Sequence, residues 1–196
     1  QEEKKNLMYI FQNKDLKNKL DKIILKTKEI RIIKKNIEDI NNEKGFVRSS
    51  KKKIFYDLII LSVGSNSKLY ARIEEGRSIK KNYEELALTA TVKHNTKIEN
   101  VSQFFLKEGP LAILPFQKKV FSIVWSVCTE FFAINEKNIK KILSKKLRIL
   151  LKAKSIKNVV NIQSFPINLN LKTKYFKKNV LILGDGLHAV HPMAGQ

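Results

Sequence analysis

Apolar residues along the chain follow two periodicities, one typical of helices and one typical of strands. From Asn13 to Thr27 they recur at helical spacing with lysines on the opposite side, which predicts an amphipathic helix. A second helical pattern, from Glu136 to Lys154, again places apolar residues on one side and basic residues on the other. The remaining apolar runs predict strands at Ile30 to Ile33, Gly45 to Arg48, Asp57 to Val63, Tyr83 to Val92, Val101 to Leu106, Leu111 to Phe116, Val120 to Thr129, Val159 to Phe165, Ile167 to Leu171 and Val180 to Leu183.

The predicted strands fall into two classes. The runs Asp57 to Val63 and Val180 to Leu183 are continuously apolar, as in strands that are buried on both faces of a parallel sheet. The runs between Tyr83 and Thr129 are alternating or mixed and are separated by turn residues, which predicts an antiparallel sheet. The sequence therefore predicts an α+β fold in which a β-rich middle is inserted between two pieces of an α/β unit.

The composition describes a chain with enough apolar material for one domain or two small ones, since 43% of its 196 residues are hydrophobic. Cys128 is the single cysteine, which excludes a disulfide-stapled secreted module and predicts a cytoplasmic location. The longest apolar stretch, Val120 to Ile134, is shorter than the ~20 residues that a membrane-spanning helix needs. Because the chain begins at Gln1 without a Met and stops at Gln196, where a helix is expected to begin, we expect an internal piece of a longer protein.

The formal net charge of +21 raises the question of an anionic partner. The basic residues are 34 Lys against only 5 Arg, and the chain also holds 24 Ile and 17 Asn. Lys, Ile and Asn are the residues of A/T-rich codons. This pattern favours a compositional bias, and no nucleic-acid-binding motif accompanies it, so no nucleic-acid partner is predicted. A basic nucleic-acid-binding domain stays open as a rival. The lysine face of the helix from Glu136 to Lys154 is either solvated or docks peripherally on anionic lipid.

The segment VLILGDGLHAVHPMAGQ, Val180 to Gln196, carries the candidate chemistry. Gly184 at the carboxyl end of the strand lets a ligand approach the backbone closely. Asp185 follows in the crevice beyond the strand, where open α/β sheets bind ligands, as an acceptor for a hydroxyl. Pro192 directs the chain into a loop. Bare backbone amides suited to anionic oxygens then follow at Ala194, Gly195 and Gln196. The pattern suits a polyhydroxylated, partly anionic cofactor.

The stretch GDGLHAVHPMAGQ resembles the second FAD-binding motif, G-D-A-A-H-x-x-H-P-x-A-G-Q-G, of flavoprotein aromatic hydroxylases of the para-hydroxybenzoate hydroxylase type. Its H-P-x-A-G-Q form is similar to the ubiquinone-biosynthesis branch of that family. Gly186 and Leu187 replace two alanines as the only departures within it. The segments MYIFQNKDLKNKL, YDLIILSVGSNSKL and EGPLAILPF resemble further parts of the family, so that the resemblance covers essentially the whole chain.

The resemblance implies an FAD-binding α/β (GR2-like) domain with an inserted mixed or antiparallel β-sheet substrate domain. Residues 1–74 and 173–196 would form the FAD-binding pieces and 75–172 the substrate domain. Asp185 would accept a hydrogen bond from the ribityl chain of FAD, and Pro192 would lie beside the isoalloxazine ring. The backbone at Gly195 and Gln196 would face the pyrimidine edge of the ring.

The resemblance also implies a reaction. NAD(P)H or another donor would reduce FAD, and molecular oxygen would then form a flavin hydroperoxide that hydroxylates an aromatic ring. The implied substrate is a polyprenylated phenol of ubiquinone biosynthesis. A peripheral position on the inner face of a membrane and a quinone-biosynthesis complex follow from the same resemblance. No residue is identified as catalytic, and this piece alone is expected to bind FAD poorly because the family's G-x-G-x-x-G is absent from it.

Departures from the family pattern leave a second interpretation open. Val63 stands where the family has an Asp before Gly64, and Tyr70 lies in a segment where the family has an Arg. Lys17 replaces an Arg that contacts the cofactor, so Lys17 and Gly64 are weaker candidates for cofactor binding. A charged hydrogen bond contributes about 1.5–3 kcal/mol, so loss of the Asp is expected to weaken cofactor handling roughly ten- to a hundredfold. The alternative is a catalytically impaired, flavin-binding scaffold in a quinone-synthesis complex.

Several polar residues also have plain structural interpretations. The spacing of Asp185, His188 and His191 permits a metal site, but the continuing motif disfavours one, so no metal is predicted. The two histidines are interpreted as structural or flavin-adjacent rather than as catalytic bases. Ser67 is either a helix N-cap or a cofactor contact. The other assignments are core positions for Cys128 and Trp125 and an exposed turn for His94.

Overall fold

A computed structural model describes residues 9–64, 67–72, 78–95, 97–152 and 156–189. The chain divides into two compact units. The antiparallel unit holds the described residues of Gln1–Arg31 and Glu84–Pro166, and the parallel unit holds those of Ile32–Tyr83 and Ile167–His191. The units change at different residues from the predicted domain boundaries after 74 and 172, and the domain assignment stays a prediction.

Helices and mostly antiparallel sheets make up the described chain, so the predicted α+β class is confirmed. The elements in chain order are α1 (Asn13–Lys26), β1 (Asp39–Asn41), β2 (Phe46–Ser49), β3 (Lys52–Phe55), β4 (Ile59–Leu61), β5 (Ser78–His94), β6 (Ser102–Leu106), β7 (Gly109–Gln117), β8 (Val120–Cys128), α2 (Thr129–Asn135), α3 (Ile139–Leu150), β9 (Ile156–Lys172), β10 (Phe176–Lys177), β11 (Val180–Ile182) and β12 (His188–Ala189), with 3₁₀ turns at Lys68–Arg72, Glu136–Asn138 and Gly184–Gly186. The strand orders are β1-β2-β3, β10-β11-β4 and β12-β9-β5-β8-β7-β6.

The core of the antiparallel unit follows from the alternation in its strands. β5 pairs with β8, β8 with β7 and β7 with β6, all antiparallel, and Trp125 lies opposite both Leu88 and Leu111. Because side chains alternate along a strand, these three residues share one face, where all are buried. α3 adds Leu143 and Leu147, both fully buried, to the same core. The predicted antiparallel sheet and the core position of Trp125 are therefore confirmed.

The parallel unit is built around two short strands. β4 and β11 pair in parallel, with Ile59 opposite Val180 and Leu61 opposite Ile182, and all four side chains are buried. Between the two buried residues of β4, Ile60 is 52% exposed. The prediction that this strand is buried on both faces is wrong, because the described core of the unit packs against one face only.

Three strand predictions are corrected. No strand forms at Ile30 to Ile33, because no other described segment pairs with this run. The two strands predicted between Val159 and Leu171 are one strand, β9, which continues through Pro166 since proline removes a hydrogen-bond donor but keeps an extended φ. The run predicted as a strand from Asp57 to Val63 is ordered as β only over Ile59–Leu61.

The helix predictions hold with one omission. α1 is confirmed, although none of its residues is buried. α3 begins and ends inside the predicted Glu136 to Lys154. The sequence missed α2, which follows β8 directly without a glycine or proline between them. Cys128 caps α2, its Sγ accepting a hydrogen bond from the backbone N–H of Phe131 at 3.4 Å. Cys128 is therefore exposed rather than a core residue.

His94 also lies elsewhere than the sequence predicts. It ends β5 and is only 1% exposed, with its ring 5.1 Å from the ring of Phe121. The prediction of an exposed turn is wrong because β5 continues past Val92 far enough to carry His94 into the core of the antiparallel unit.

Candidate cofactor site

Two neighbouring strand ends form the candidate site in the parallel unit. β4 and β11 run parallel, so their carboxyl ends meet at the same edge of their sheet. The pairing extends one residue beyond the register, where the backbone N–H of Leu183 donates to the carbonyl of Leu61 at 2.9 Å. Gly64 follows β4 and Gly184 follows β11, so the sheet brings two sequence-predicted residues to one edge.

Both glycines hold their positions with a left-handed backbone. Gly64 has φ +75° and Gly184 has φ +70°, a region that side chains with a Cβ rarely adopt. A Cβ added at either position would find no atom of the described residues within 4 Å, its chain neighbours aside. The space beside both turns is therefore open, and a ligand can approach either backbone closely. Their contact with a cofactor stays a prediction.

Asp185 occupies the 3₁₀ turn after β11, and its side chain is exposed. Within the part of the chain that the structure describes, its carboxylate forms neither a hydrogen bond nor an ion pair. A solvated carboxylate without a protein partner is free to accept hydrogen bonds from the hydroxyls of a ligand. The geometry is thus compatible with the predicted role of Asp185, which stays a prediction.

Tyr70 packs against this turn from the 3₁₀ helix Lys68–Arg72 and is only 2% exposed. A Cβ added to Gly186 would lie 3.0 Å from Cε1 of Tyr70 and would overlap its hydroxyl. The ammonium of Lys172 lies 4.8 Å from the centroid of the tyrosine ring. Gly186 and Tyr70 were both identified as departures from the family pattern. Residue spacing does not indicate that they touch, because they are far apart along the chain.

An open cavity of about 400 Å³ lies in the same unit and was not predicted. Its lining is part polar and part apolar and comes from three strands that are adjacent in the sheet, β5, β9 and β12. The lining residues are Lys80, Lys81, Asn82, Asn168, Leu169, Asn170 and Ala189. The spacing of Asn168 and Asn170, which places both on one face of a strand, is the sequence signal that could have indicated the cavity. Lys80 and Lys81 belong to the lysine excess that was attributed to compositional bias.

The remaining candidates are placed as follows. Lys17 lies on α1 in the antiparallel unit, where its ammonium pairs with Asp21 at 2.8 Å in an exposed ion pair, and its cofactor role stays a prediction. The hydroxyl of Ser67 accepts a hydrogen bond from the N–H of Leu69 at 3.3 Å, as a cap does. His188 is exposed in β12. Four candidate cofactor residues and one histidine lie outside the described residues: Pro192, Ala194, Gly195, Gln196 and His191.

The described ranges contain no group of three His, Cys, Asp or Glu side chains arranged to hold a metal ion. They also contain no helix that combines the length and the apolar character needed to cross a bilayer.

Comparison with curated proteins gives one group of relatives, and no protein-family model matches the chain. The mitochondrial ubiquinone biosynthesis monooxygenase COQ6 of Xenopus tropicalis is 27% identical in an alignment of 157 positions that covers 61% of this chain and 34% of the relative. The human protein of the same name is 25% identical in an alignment of 152 positions that covers 59% of this chain and 32% of the relative. The chain thus spans about a third of the length of the curated relatives that it matches.

Solved structures show the fold. The flavin-dependent brominase Bmp2 superposes with a TM-score of 0.71 at 12% identity, over 91% of this chain and 49% of the brominase. The 2-methyl-3-hydroxypyridine-5-carboxylic acid oxygenase superposes with a TM-score of 0.61 at 13% identity, over 85% of this chain and 49% of the oxygenase. The fold is that of FAD-dependent halogenases and monooxygenases. The predicted resemblance to flavin-dependent hydroxylases is confirmed.

Proposed function

We propose that the chain is part of an FAD-dependent monooxygenase that hydroxylates an aromatic ring, with a polyprenylated phenol of ubiquinone biosynthesis as the substrate. The observation that carries the proposal is the edge shared by β4 and β11. Two left-handed glycines with open space beside them and an unengaged carboxylate occur there together, in a fold shared with FAD-dependent enzymes. The names of the curated relatives support the pathway.

The residues at this edge fit the ribityl chain of FAD. Asp185 would accept hydrogen bonds from its hydroxyls, and the exposed position of the carboxylate leaves it available for them. Because Gly64 and Gly184 carry no Cβ, the ribityl chain would lie directly against their backbone. FAD, when bound, supplies the redox chemistry that activates molecular oxygen, and NAD(P)H is the proposed electron donor.

Binding is tested by titrating FAD and following its fluorescence with the intact gene product and with Asp185→Asn. Because the asparagine keeps an acceptor oxygen, the substitution exchanges a charged hydrogen bond of about 1.5–3 kcal/mol for a neutral one of about 0.5–1.5 kcal/mol, which predicts about a tenfold rise in Kd. Asp57→Asn is the matched control, because Asp57 is also an exposed aspartate of the parallel unit and the charge change is identical. Equal affinities for the two variants would contradict the assignment of Asp185.

A flavin-binding scaffold without chemistry is the second candidate function. Val63, in place of the family's Asp, is 48% exposed beside Gly64, and the buried Tyr70 lies in the segment where the family has an Arg. The two functions differ in turnover. Oxidation of NAD(P)H with uptake of oxygen in the presence of a prenylated phenol supports the monooxygenase, whereas bound FAD without NAD(P)H consumption supports the scaffold.

The proposal includes a cytoplasmic location, with a peripheral position on the inner face of a membrane as the alternative, and excludes a nucleic-acid partner. Binding to DNA or RNA that persists at physiological salt would contradict that exclusion, since nonspecific binding to a basic surface weakens steeply with salt.

A further inference from the structure

We propose that the open cavity bounded by β5, β9 and β12 is a second ligand site, which binds a compact oxyanion carrying a hydroxyl or N–H donor. The cavity lies wholly within the parallel unit. Its volume of about 400 Å³ is within the ~300–1,000 Å³ typical of small-molecule sites. The inference goes beyond the proposed function, because it does not require flavin to be bound.

The charge of the lining selects for an anion. Two of its residues, Lys80 and Lys81, are cationic, and none of the described residues that line the cavity is acidic. The ammonium of Lys81 lies 5.2 Å from the ring centroid of Tyr83, which orders that side chain. Lys80 forms no ion pair within the described ranges. Lys80 and Lys81 follow one another along β5 and therefore point to opposite faces of the strand. An anionic ligand in a cavity whose described lining has cationic but no acidic side chains is stabilised by either ammonium.

The amides of β9 add a requirement for a hydrogen-bond donor. Asn168 and Asn170 are two residues apart on the strand and therefore lie on the same face. The side-chain Oδ1 of Asn170 is buried and has no hydrogen-bond partner among the described residues. A buried acceptor without a donor is unfavourable, so a ligand hydroxyl or N–H that reaches it is favoured.

The apolar part of the lining leaves room for a carbon skeleton. Ala189 lies directly opposite Asn170 in the antiparallel pairing of β12 with β9, and its methyl group occupies little of the space beside the amide. Leu169 supplies a second apolar contact. The chemistry that fits is an oxyanion, either the carboxylate of a hydroxylated ring or the phosphate of a nucleotide or sugar.

The test measures the affinity of three probes by isothermal titration calorimetry, with the full chain and without FAD. The probes are 3-hydroxybenzoate, the neutral 3-hydroxybenzamide and inorganic phosphate. Lys80→Gln/Lys81→Gln is compared with Lys118→Gln/Lys119→Gln, a matched pair of exposed lysines in the turn between β7 and β8. Asn170→Ser tests the amide, and circular dichroism checks that each variant folds.

We expect saturable anion binding that weakens at least tenfold in Lys80→Gln/Lys81→Gln and less than twofold in the control pair. Asn170→Ser withdraws the amide acceptor from the cavity, so it is expected to weaken 3-hydroxybenzoate, whose ring hydroxyl is the proposed donor. Stronger binding of the benzoate identifies a carboxylated ring as the source of the oxyanion, and stronger binding of phosphate identifies a phosphate ester.

Equal loss in both lysine pairs would overturn the proposal by showing only a general attraction to a basic surface. Equal affinity for the neutral amide and the benzoate would overturn it by showing that the site does not recognise the negative charge. An intact gene product that binds these anions but not FAD would contradict the proposed function and leave the second site standing. The two failures are therefore distinguishable.

Discussion

The contact between Gly186 and Tyr70 makes Gly186→Ala the most informative single substitution. The added methyl group would lie 3.0 Å from Cε1 of Tyr70 and would overlap the hydroxyl, so one of the two residues has to move. Tyr70 is held in the core of the parallel unit, together with Ile59 and Val180, and is only 2% exposed. Because the ring has no free space to enter, the displacement falls on the turn that carries Asp185.

The expected cost follows from two opposing effects. Overpacking costs about 1–3 kcal/mol and removing a glycine from the unfolded chain offsets about 0.4–1 kcal/mol, which leaves a net loss of about 0–2.6 kcal/mol. The backbone of Gly186 does not have a positive φ, so the penalty does not include strain of that kind. Urea unfolding followed by circular dichroism measures this loss, and FAD titration measures the displacement of Asp185 separately.

Truncation of the partner provides the control. In a Tyr70→Leu background the ring and its hydroxyl are gone, so adding the methyl group at Gly186 is expected to be neutral or stabilising. The double-mutant cycle should therefore show a coupling of at least about 0.5 kcal/mol between the two positions. Equal destabilisation by Gly186→Ala in both backgrounds would refute the reasoning, because the penalty would then not arise from Tyr70.

Three further predictions concern single interactions. Tyr70→Phe should be neutral or stabilising toward urea, since the buried hydroxyl has no partner among the described residues, and a clear loss of stability would reveal one. The ammonium of Lys146 lies 2.8 Å from the carboxylate of Glu108 and lowers the pKa of that carboxyl below its ordinary 4.5. The pair therefore stabilises the fold above pH 4.5, and this stabilisation disappears as the pH falls through the lowered pKa. Glu108→Gln should therefore be less stable than the wild type at pH 7 and approach its stability in acid. The same difference in unfolding free energy between the two proteins at both pH values would contradict the assignment. If α3 docks on anionic lipid, Lys141→Gln/Lys145→Gln should reduce flotation with phosphatidylserine vesicles at low salt more than the same charge change in the β7–β8 turn does.

The sequence predicts the parts of the fold that local periodicity encodes. Alternation along β5 and β8 specifies which residues are buried, and the helical spacing of Leu143 and Leu147 specifies the inner face of α3. α2 was missed because strand and helix follow one another without a breaking residue, and an apolar run alone does not show where the periodicity changes. The isoleucines from Ile30 to Ile33 have strand propensity, but a strand also needs a partner, which a local pattern cannot supply.

The sequence likewise predicts some residues of the candidate site and misses others. Gly184 and Asp185 were identified because a short motif places them after a strand, and that placement is confirmed. The cavity lined by Lys80 and Asn170 was not found, because its walls come from three strands that are adjacent only in the folded sheet. Contacts of this kind depend on strand order, which residue spacing does not determine.

The departures from the family pattern differ in their physical meaning, and this difference bears on the choice between enzyme and scaffold. Gly186 leaves room for the hydroxyl of Tyr70. These two departures therefore compensate one another where Tyr70 packs against the 3₁₀ turn Gly184–Gly186. Neither argues for a lost cofactor site, because the turn keeps Asp185 exposed and unengaged. Val63 is different, since its side chain is 48% exposed beside Gly64 and cannot accept the hydrogen bonds that a carboxylate would accept there. The evidence against catalysis therefore concentrates at Val63, and FAD affinity and NAD(P)H turnover have to be measured separately to weigh it.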